Sequence, residues 1–248
     1  MVQETRLSIC DFIYPIFVTH GRDVRREIEP MPGIFQLSLD HRIAEVGEVA
    51  DLGIPAVLLF GIPAEKDSMG TEAYAPGGIV QEAIRVIKQT TPELMIVGGV
   101  CLCEYTDHRH CGVIADNKVN NDLTLELPAK AAVCLAEVGV DIVAPSAMMD
   151  GQVGAIRNAL DSSGFEDMPI MAYSAKYASA FYGPFRVAAT VRKQDRLPDG
   201  LAQCPAGPEG DRAGHRRGRR HRHGQASAGL AGRPRHRAGV DRLPDGRL

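Results

Sequence analysis

The sequence alternates short apolar runs with segments of helical hydrophobic period, and this alternation constrains the fold more than any other feature. The apolar runs cover residues 12–18, 56–60, 94–97, 141–144 and 170–173, and the helical segments cover residues 40–52, 79–90, 123–138 and 153–160. Buried strands that alternate with helices form parallel sheets built from right-handed βαβ units. The sequence therefore predicts an α/β fold with five parallel strands.

Residues with reactive side chains follow three of these strands. Cys101 follows the third strand, Ser146 the fourth and Lys176 the fifth. In a barrel the carboxyl ends of the strands converge on one mouth, where barrel enzymes carry their catalytic residues. A doubly wound sheet is the alternative, but no Gly-x-Gly-x-x-Gly signature opens a helix after the first strand. We therefore predict the (β/α)₈ TIM-barrel type.

Lys176 lies in a stretch of aromatic and small residues, 171–186, that ends in Arg186. Such surroundings hydrate an ammonium poorly, so desolvation favours the neutral amine, which is the nucleophile that forms Schiff bases with carbonyl substrates. The Arg186 guanidinium is suited to bind a substrate carboxylate in a fork. The alternative is a structural lysine that extends from the end of a buried strand towards water.

Three of the six cysteines form the pattern Cys-x-Cys-x₇-Cys at Cys101, Cys103 and Cys111. Three thiolates on one loop can occupy three corners of a zinc tetrahedron and leave the fourth open, as in catalytic zinc sites. His108 or His110 is the alternative ligand for the fourth corner, which would make the site structural. The other interpretation is that the three cysteines are buried thiols that bind no metal, since cysteine is a common core residue.

Composition separates the chain into two parts. Residues 201–248 hold eleven Arg and no Lys against four acidic residues, a charge of +7, which leaves −10 for residues 1–200 of a chain whose net charge is −3. Clustered cysteines in a chain this long do not indicate a secreted disulfide framework. Because the sequence also shows neither a membrane-length apolar run nor a signal-peptide layout, we expect a cytoplasmic protein without a membrane partner.

With these motifs in view, the chain resembles the porphobilinogen synthase family, also called 5-aminolevulinate dehydratases. The cysteine loop carries the resemblance together with Tyr-Ser-Ala-Lys-Tyr-Ala-Ser-Ala-Phe-Tyr-Gly-Pro-Phe-Arg at 173–186 and Val-Ala-Pro-Ser-Ala-Met-Met-Asp-Gly at 143–151. Shorter matches lie at residues 28–33, 59–63 and 122–127, so the resemblance covers residues 5–186.

The resemblance implies a homo-oligomeric barrel enzyme, of octamer type in the family. The family condenses two molecules of 5-aminolevulinate into porphobilinogen, with release of two waters, on the route to haem and other tetrapyrroles. By resemblance Lys176 holds one substrate as a Schiff base, and a catalytic Zn²⁺ is accompanied by Mg²⁺ as an accessory ion. The other implied site residues are the zinc ligands Cys101, Cys103 and Cys111, the carboxylate binder Arg186, and the pocket residues Ser146, Tyr182 and Phe185.

Two residues near the implied reacting centre depart from the family pattern. The family usually has Asp immediately before Val-Cys-Leu-Cys and Asp after Ala-Pro-Ser, whereas this chain has Gly99 and Ala147. Loss of a general acid or base lowers a rate by about 10²–10⁴. We therefore expect this chain to be impaired as a catalyst.

The largest departure is the C-terminal part. The family continues into strands six to eight with a second Schiff-base lysine in a Gly-Ala-Asp-Ile-Val-Met-Val-Lys-Pro strand, but from Val187 onward this chain has no Ile, Phe, Tyr, Met or Asn. Core material is therefore absent from this part. We predict a partial TIM-barrel catalytic domain over residues 1–186, with strands one to five, and an irregular basic Arg/Gly/Pro-rich tail over residues 187–248.

A frameshift is our hypothesis for the origin of this tail. The family strand, written in GC-rich codons and read from the third base of its first codon, gives Arg-Arg-His-Arg-His-Gly-Gln-Ala, which is the sequence at 219–226. A family-like Tyr-Gln-Met-Asp run gives Leu-Pro-Asp-Gly, which is the sequence at 197–200. We hypothesise a frameshift between Arg186 and Leu197, with the codon of the second lysine hidden across Gln225.

Two other functions stay open from the residues alone. Clustered arginines neutralise phosphates, so the tail could be a nucleic-acid or other polyanion-binding arm, although the frameshift needs no such partner. Lys176 alone would suit a class I aldolase-like Schiff-base reaction on a simpler ketone. An incomplete barrel is also expected to leave the flanks of strands one and five unpaired, and such edges promote aggregation.

Overall fold

The computed structural model describes residues 6–173, 182–189 and 229–231 of the 248-residue chain. Its strands are β1 (Ile13–Thr19), β2 (Arg25–Glu27), β3 (Phe35–Leu37), β4 (Ala56–Ile62), β5 (Met95–Val100), β6 (Ile114–Ala115), β7 (Lys118–Val119), β8 (Ile142–Pro145), β9 (Ile170–Ala172) and β10 (Gly229–Ala231). Its helices are α1 (Leu39–Asp51), α2 (Ile79–Thr90), α3 (Asn121–Thr124), α4 (Glu126–Glu137), α5 (Gln152–Ser162) and α6 (Tyr182–Ala188). Short 3₁₀ helices cover Ile9–Asp11 and Thr71–Tyr74.

The five predicted strands are β1, β4, β5, β8 and β9, and they lie side by side in chain order with parallel pairing. A doubly wound sheet reverses its strand order at a switch point. Since no reversal occurs among these five strands, the arrangement is that of a barrel. In the described part of the chain the sheet is open, with β10 at one end and β2 at the other. The prediction of an incomplete TIM-barrel fold is therefore confirmed.

Alternate residues of the strands face two different apolar layers. Val57 and Leu59 of β4 belong to a large buried cluster with residues of α1, α2, α4 and α5. Ala56 and Leu58 belong to a second cluster on the opposite side, against which Phe60 packs. Both faces of the sheet are thus buried, which explains why its strands read as continuous apolar runs.

The predicted helix 123–138 consists of two helices, α3 and α4. Pro128 causes the interruption. It lacks the N–H that would bond to the carbonyl of Thr124, and in an uninterrupted helix its ring would clash with that carbonyl. Pro128 is tolerated within the first turn of α4, where an N–H would have no helical partner. Thr124 ends α3 at the break, and its hydroxyl accepts a hydrogen bond from the Val113 N–H at 2.9 Å.

Helix α1 buries only part of the face that its sequence period predicts. Spacing of three residues predicts that Ile43, Val46, Val49 and Leu52 face inward, but Ile43 is 44% exposed and Leu52 is 64% exposed. The buried side chains are Val46, Val49 and Arg42, which is 0% exposed. The buried stripe follows a mixed spacing of four and three residues, the usual stripe of an amphipathic helix.

The Asp at the start of the helical segment predicts that Asp40 caps α1, but the N-terminus of the helix is organised differently. The cap residue is Ser38, and its hydroxyl donates to Asp40 at 2.6 Å. Asp40 lies in the first turn, where its carboxylate accepts the Asp23 N–H at 2.8 Å. These hydrogen bonds lower the pKa of Asp40, the Ser38 contact contributing most.

Both flanks of the predicted strands have partners, so the expectation of open edges is wrong for the residues that pair. Strand β3 pairs with β1 at Phe17 and Val18, and its other edge pairs with the antiparallel strand β2. Strand β10 pairs antiparallel with all of β9. Among the described residues, no helix combines the length and apolarity that crossing a membrane requires.

Candidate metal centre and active site

The three predicted metal ligands lie together just after β5. The Cys101 sulfur is 3.2 Å from the Cys103 sulfur and 3.3 Å from the Cys111 sulfur. Cys101 and Cys103 are buried and Cys111 is half-buried, and none of the three is part of a disulfide. The loop therefore gathers three sulfur donors at the carboxyl end of a central strand.

Residues between the cysteines hold this loop in place. Leu102 and Tyr105 pack with Ala73 and Leu127 in a small buried cluster, which anchors the apolar side of the loop. Leu102 accepts backbone hydrogen bonds from the N–H groups of Tyr105 and Thr106 at 2.9 Å. These bonds form a turn over residues 102–106, between the first and the third cysteine of the loop.

The donor set and its spacing fit a zinc ion. Tetrahedral coordination with bonds of about 2.3 Å separates two sulfur ligands by roughly 3.8 Å. The separations of 3.2 and 3.3 Å from Cys101 are about 0.5–0.6 Å shorter than that requirement. Hydrogen bonds with Cys101 and Cys111, followed by burial, raise the pKa of the Cys103 thiol. A metal must displace that proton, so its binding would depend on pH.

Among the residues that the structure describes, neither histidine of the loop belongs to the group of gathered ligand atoms. His108 donates from Nε2 to the carbonyl of Ser68 at 3.0 Å, and its Nδ1 accepts the N–H of His110 at 3.2 Å. Burial and the neighbouring His108 lower the pKa of His110. In the described part of the chain, the group of ligand atoms around Cys101 contains the three cysteines and no histidine. This geometry favours a site with an open fourth position over a closed structural site.

Both departures from the family pattern lie against this centre or next to it. Ala147 packs in one buried cluster with Cys101 and Cys103, and the half-buried Cys111 packs against that cluster. Gly99 belongs to β5, and a Cβ there would lie 3.2 Å from the Leu59 carbonyl oxygen. Neither position supplies a proton donor or acceptor side chain to the mouth of the barrel.

Ser146 is placed beside the cysteine loop by strand pairing. Its N–H donates to the carbonyl of Val100 at 3.2 Å, which extends the parallel pairing of β8 with β5 by one residue. Ser146 is half-buried. The residue therefore lies at the carboxyl ends of the strands, where the sequence predicted it.

Helix α6 carries three further predicted site residues, Tyr182, Phe185 and Arg186. The ring of Phe185 meets that of Phe60 edge to face at 5.3 Å and lies 6.3 Å from that of Phe17. Arg186 follows on the same helix and is half-buried. Tyr182 begins the helix, whereas Lys176 lies outside the described residues. The aromatic contacts place α6 over the paired strands β1 and β4.

Two polar residues at this place carry no sequence signal that distinguishes them. Lys66 follows β4, and its ammonium donates to the carbonyl of Ala189 at 3.3 Å. Burial lowers the pKa of Lys66, and the nearby Glu104 and Cys103 oppose that effect. Gln36 of β3 donates to the carbonyl of Ala188 at 2.7 Å. A lysine in a polar loop and a glutamine in a three-residue strand are ordinary features of a sequence.

Comparison with known proteins agrees with this geometry. The family model described as Delta-aminolevulinic acid dehydratase matches residues 1–202. The enzyme of that name from Halalkalibacterium halodurans is 58% identical over 189 residues, which cover 76% of this chain and 58% of the relative. The one from Synechococcus elongatus is 55% identical over 198 residues, covering 78% and 61% of the two chains. The chain thus spans about three-fifths of the length of the curated relatives it matches.

A solved structure is similar as well. The porphobilinogen synthase of Toxoplasma gondii ME49, in complex with the reaction product porphobilinogen, superposes with a TM-score of 0.79 at 38% sequence identity. The similarity covers 88% of this chain and 64% of that one. Since the family model matches most of the sequence and the barrel order and cysteine centre agree with it, the chain belongs to the delta-aminolevulinic acid dehydratase family, whose members are also named porphobilinogen synthases.

Proposed function

We propose that this chain binds one molecule of 5-aminolevulinate as a Schiff base on Lys176, beside a Zn²⁺ held by Cys101, Cys103 and Cys111. In the family this chemistry is part of the porphobilinogen synthase reaction, that of a hydro-lyase in the synthesis of haem and other tetrapyrroles. The observation that carries the proposal is the three-cysteine centre at the carboxyl end of β5, which has the sulfur donors and spacing of a zinc site. When bound there, zinc polarises an oxygen or ionises a water molecule.

Lys176 is proposed as the nucleophile. Its neutral amine adds to the ketone carbon of 5-aminolevulinate, and a carbon–nitrogen double bond replaces the carbonyl bond. The ketone oxygen leaves as water with the two protons of the amine, without any change of oxidation state. Apolar and aromatic neighbours in the sequence favour the neutral amine. Arg186 is proposed to bind the carboxylate, while Ser146, Tyr182 and Phe185 line the pocket.

The complete condensation is not expected of this chain. Ala147 and Gly99 supply no carboxylate at the mouth, and the family's second Schiff-base lysine has no counterpart in the sequence as it stands. We propose the frameshift between Arg186 and Leu197 as the reason, with residues 1–186 as the catalytic domain and residues 187–248 as the tail. The encoding DNA tests this proposal, since its other frame must contain the missing strands.

Reductive trapping tests the proposed chemistry directly. The full chain is incubated with 5-aminolevulinate and borohydride, and peptide mass spectrometry locates any adduct, while a parallel sample is assayed for porphobilinogen. We expect an adduct on Lys176, its loss in Lys176→Met, and no porphobilinogen. Product formation would contradict the impairment. Absence of an adduct in the zinc-loaded chain would refute the proposed site.

The same experiment separates the alternatives. A class I aldolase-like enzyme would trap a simple ketone as well as it traps 5-aminolevulinate, since it needs no carboxylate contact. A polyanion-binding tail would give a salt-sensitive gel shift with nucleic acid that disappears on truncation after Arg186. We expect neither result.

Assembly, accessory ion and location follow the family proposal. Leu7, Ile9 and Phe12 are large apolar residues exposed near the N-terminus of the described chain, which supports burial against other copies in a homo-oligomer. Mg²⁺ is proposed as an accessory ion.

Thiols that lie 3.2–3.3 Å apart without a disulfide suit a reducing compartment, which supports the cytoplasm.

A further inference from the structure

The carboxyl end of helix α6 is bound by side chains from two distant parts of the chain. Gln36 of β3 donates from Nε2 to the carbonyl of Ala188 at 2.7 Å, and Lys66 donates to the carbonyl of Ala189 at 3.3 Å. The last four carbonyls of a helix have no partner within the helix. Here the helix end is buried, since Ala188 and Ala189 are at most 1% exposed. The two side chains therefore supply donors that water would otherwise provide.

Gln36 also takes part in a closed set of contacts. Its backbone is in register with Phe17 of β1. The Phe17 ring lies 6.3 Å from that of Phe185, and Ala188 packs with Phe17 in one apolar cluster. The hydrogen bond from the Gln36 amide to the Ala188 carbonyl links α6 back to β3. A helix of seven residues is not stable by itself, so these contacts determine where α6 lies.

Arg186 lies on α6 between Phe185 and Ala188, the two residues of the helix that make these contacts. We propose that Gln36 is a positioning residue for recognition of the substrate carboxylate: by holding the end of α6 on β3, it sets the position of the Arg186 guanidinium. The substrate class is a γ-keto carboxylate, and the inference rests on the proposed function of Arg186. Lys66 is a second tether, with a longer hydrogen bond. A displacement of about 1 Å at a binding group lowers catalytic efficiency by up to about 10²-fold.

The test compares two matched variants of the full-length chain. Gln36→Met removes the amide and keeps the length of the side chain. Gln81→Met is the control, because Gln81 is also buried, at 1% exposure, and donates to a backbone carbonyl, that of Ala73 at 3.0 Å, away from α6. Borohydride trapping is measured against concentration for 5-aminolevulinate and for its carboxamide, which lacks the negative charge.

We expect Gln36→Met to raise the half-saturating concentration of 5-aminolevulinate about tenfold. The value for the carboxamide and the maximal yield are expected to stay unchanged, and Gln36→Lys, which retains a donor, should restore most of the affinity. Equal weakening of both ligands, an unchanged affinity for 5-aminolevulinate, or the same effect in Gln81→Met would overturn the inference.

A second measurement distinguishes this inference from the function on which it rests. If the parent chain traps neither compound, or traps both equally, the proposed roles of Lys176 or Arg186 fail. Amide hydrogen exchange over residues 182–189 then decides the structural part. Faster exchange there in Gln36→Met than in Gln81→Met supports the positioning role, and equal exchange overturns it.

Discussion

Replacement of Arg42 by methionine is expected to stabilise the fold. Arg42 is completely buried on the inner face of α1, beside the core residues Val46 and Val49. Its Nε, Nη1 and Nη2 atoms have no hydrogen-bond partner among the described residues. A buried guanidinium without partners loses its hydration and gains nothing in exchange. Methionine is similar in length, apolar, and adapts to irregular spaces in a core.

The size of the effect follows from the titration of Arg42. Burial lowers its pKa to about 10, and each pKa unit between the unfolded and folded states corresponds to about 1.4 kcal/mol. The charged side chain therefore opposes folding by about 3 kcal/mol at neutral pH. Burial of an apolar side chain in its place adds about 1.5–3 kcal/mol, and imperfect packing offsets part of that gain. We expect Arg42→Met to increase the free energy of unfolding by about 3–5 kcal/mol.

Urea denaturation at pH 7 measures this difference. The penalty is complete below the folded-state pKa and declines as the pH rises through about 10, so the advantage of Arg42→Met should shrink above that pH. The control is Arg157→Met, because Arg157 donates to Asp161 and Met168, both at 2.6 Å. That variant should be less stable than the parent. A destabilised Arg42→Met would refute the reasoning, since it would mean that the buried guanidinium has a stabilising partner.

Three further results are expected. Cys111→Ser should lower zinc content after dialysis to well below one equivalent with little change in the far-ultraviolet spectrum, and full retention of zinc would contradict the site. Asp141→Asn should cost about 1–3 kcal/mol in urea denaturation, because Asp141 accepts bonds from Lys88 at 2.6 and 2.8 Å and from the Ile96 N–H at 2.7 Å. The pKa of Tyr14 is raised to about 12, mainly by burial. The stability that depends on its neutral form is therefore complete below pH 10 and declines towards pH 12. Tyr14→Phe should remove one late-titrating phenol from the absorbance titration.

Strand order was predictable because the central strands are buried on both faces. Such strands leave uninterrupted apolar runs in the sequence, and residues 56–60 are an example. The short strands β2 and β3 were not predicted, since the three residues of β2 are all exposed and include two arginines. Their pairing is decided by the neighbouring β1, which is tertiary information.

Helix α6 illustrates a second limit. Gly183 and Pro184 lower helix propensity, so the sequence gives no reason to expect a helix over Tyr182–Ala188. Pro184 is tolerated because it lies in the first turn. The stabilising contacts come from Phe17 and Gln36, which are more than 140 residues away in the chain. Local pattern therefore could not reveal this helix.

Sequence spacing identified the cysteine centre but could not decide its fourth ligand. Cys-x-Cys-x₇-Cys fixes which residues are available, and both histidines lie within reach along the chain. The decision depends on where the ring nitrogens of His108 point, and both of them are engaged with backbone groups. Arg42 was missed for a related reason, because a charged residue is assigned to the solvent face unless the packing of its helix is known.

Ala147 connects these observations to the chemistry. Ala147 packs in one apolar cluster with the three cysteines, so an apolar residue stands beside the proposed metal ligands where the family pattern has Asp. The proposed metal binding and the proposed Schiff base on Lys176 use neither that carboxylate nor the second lysine, whereas the resemblance to the family implies that joining two substrates needs the second lysine. Capture of one substrate and its conversion are therefore expected to be separable in this chain.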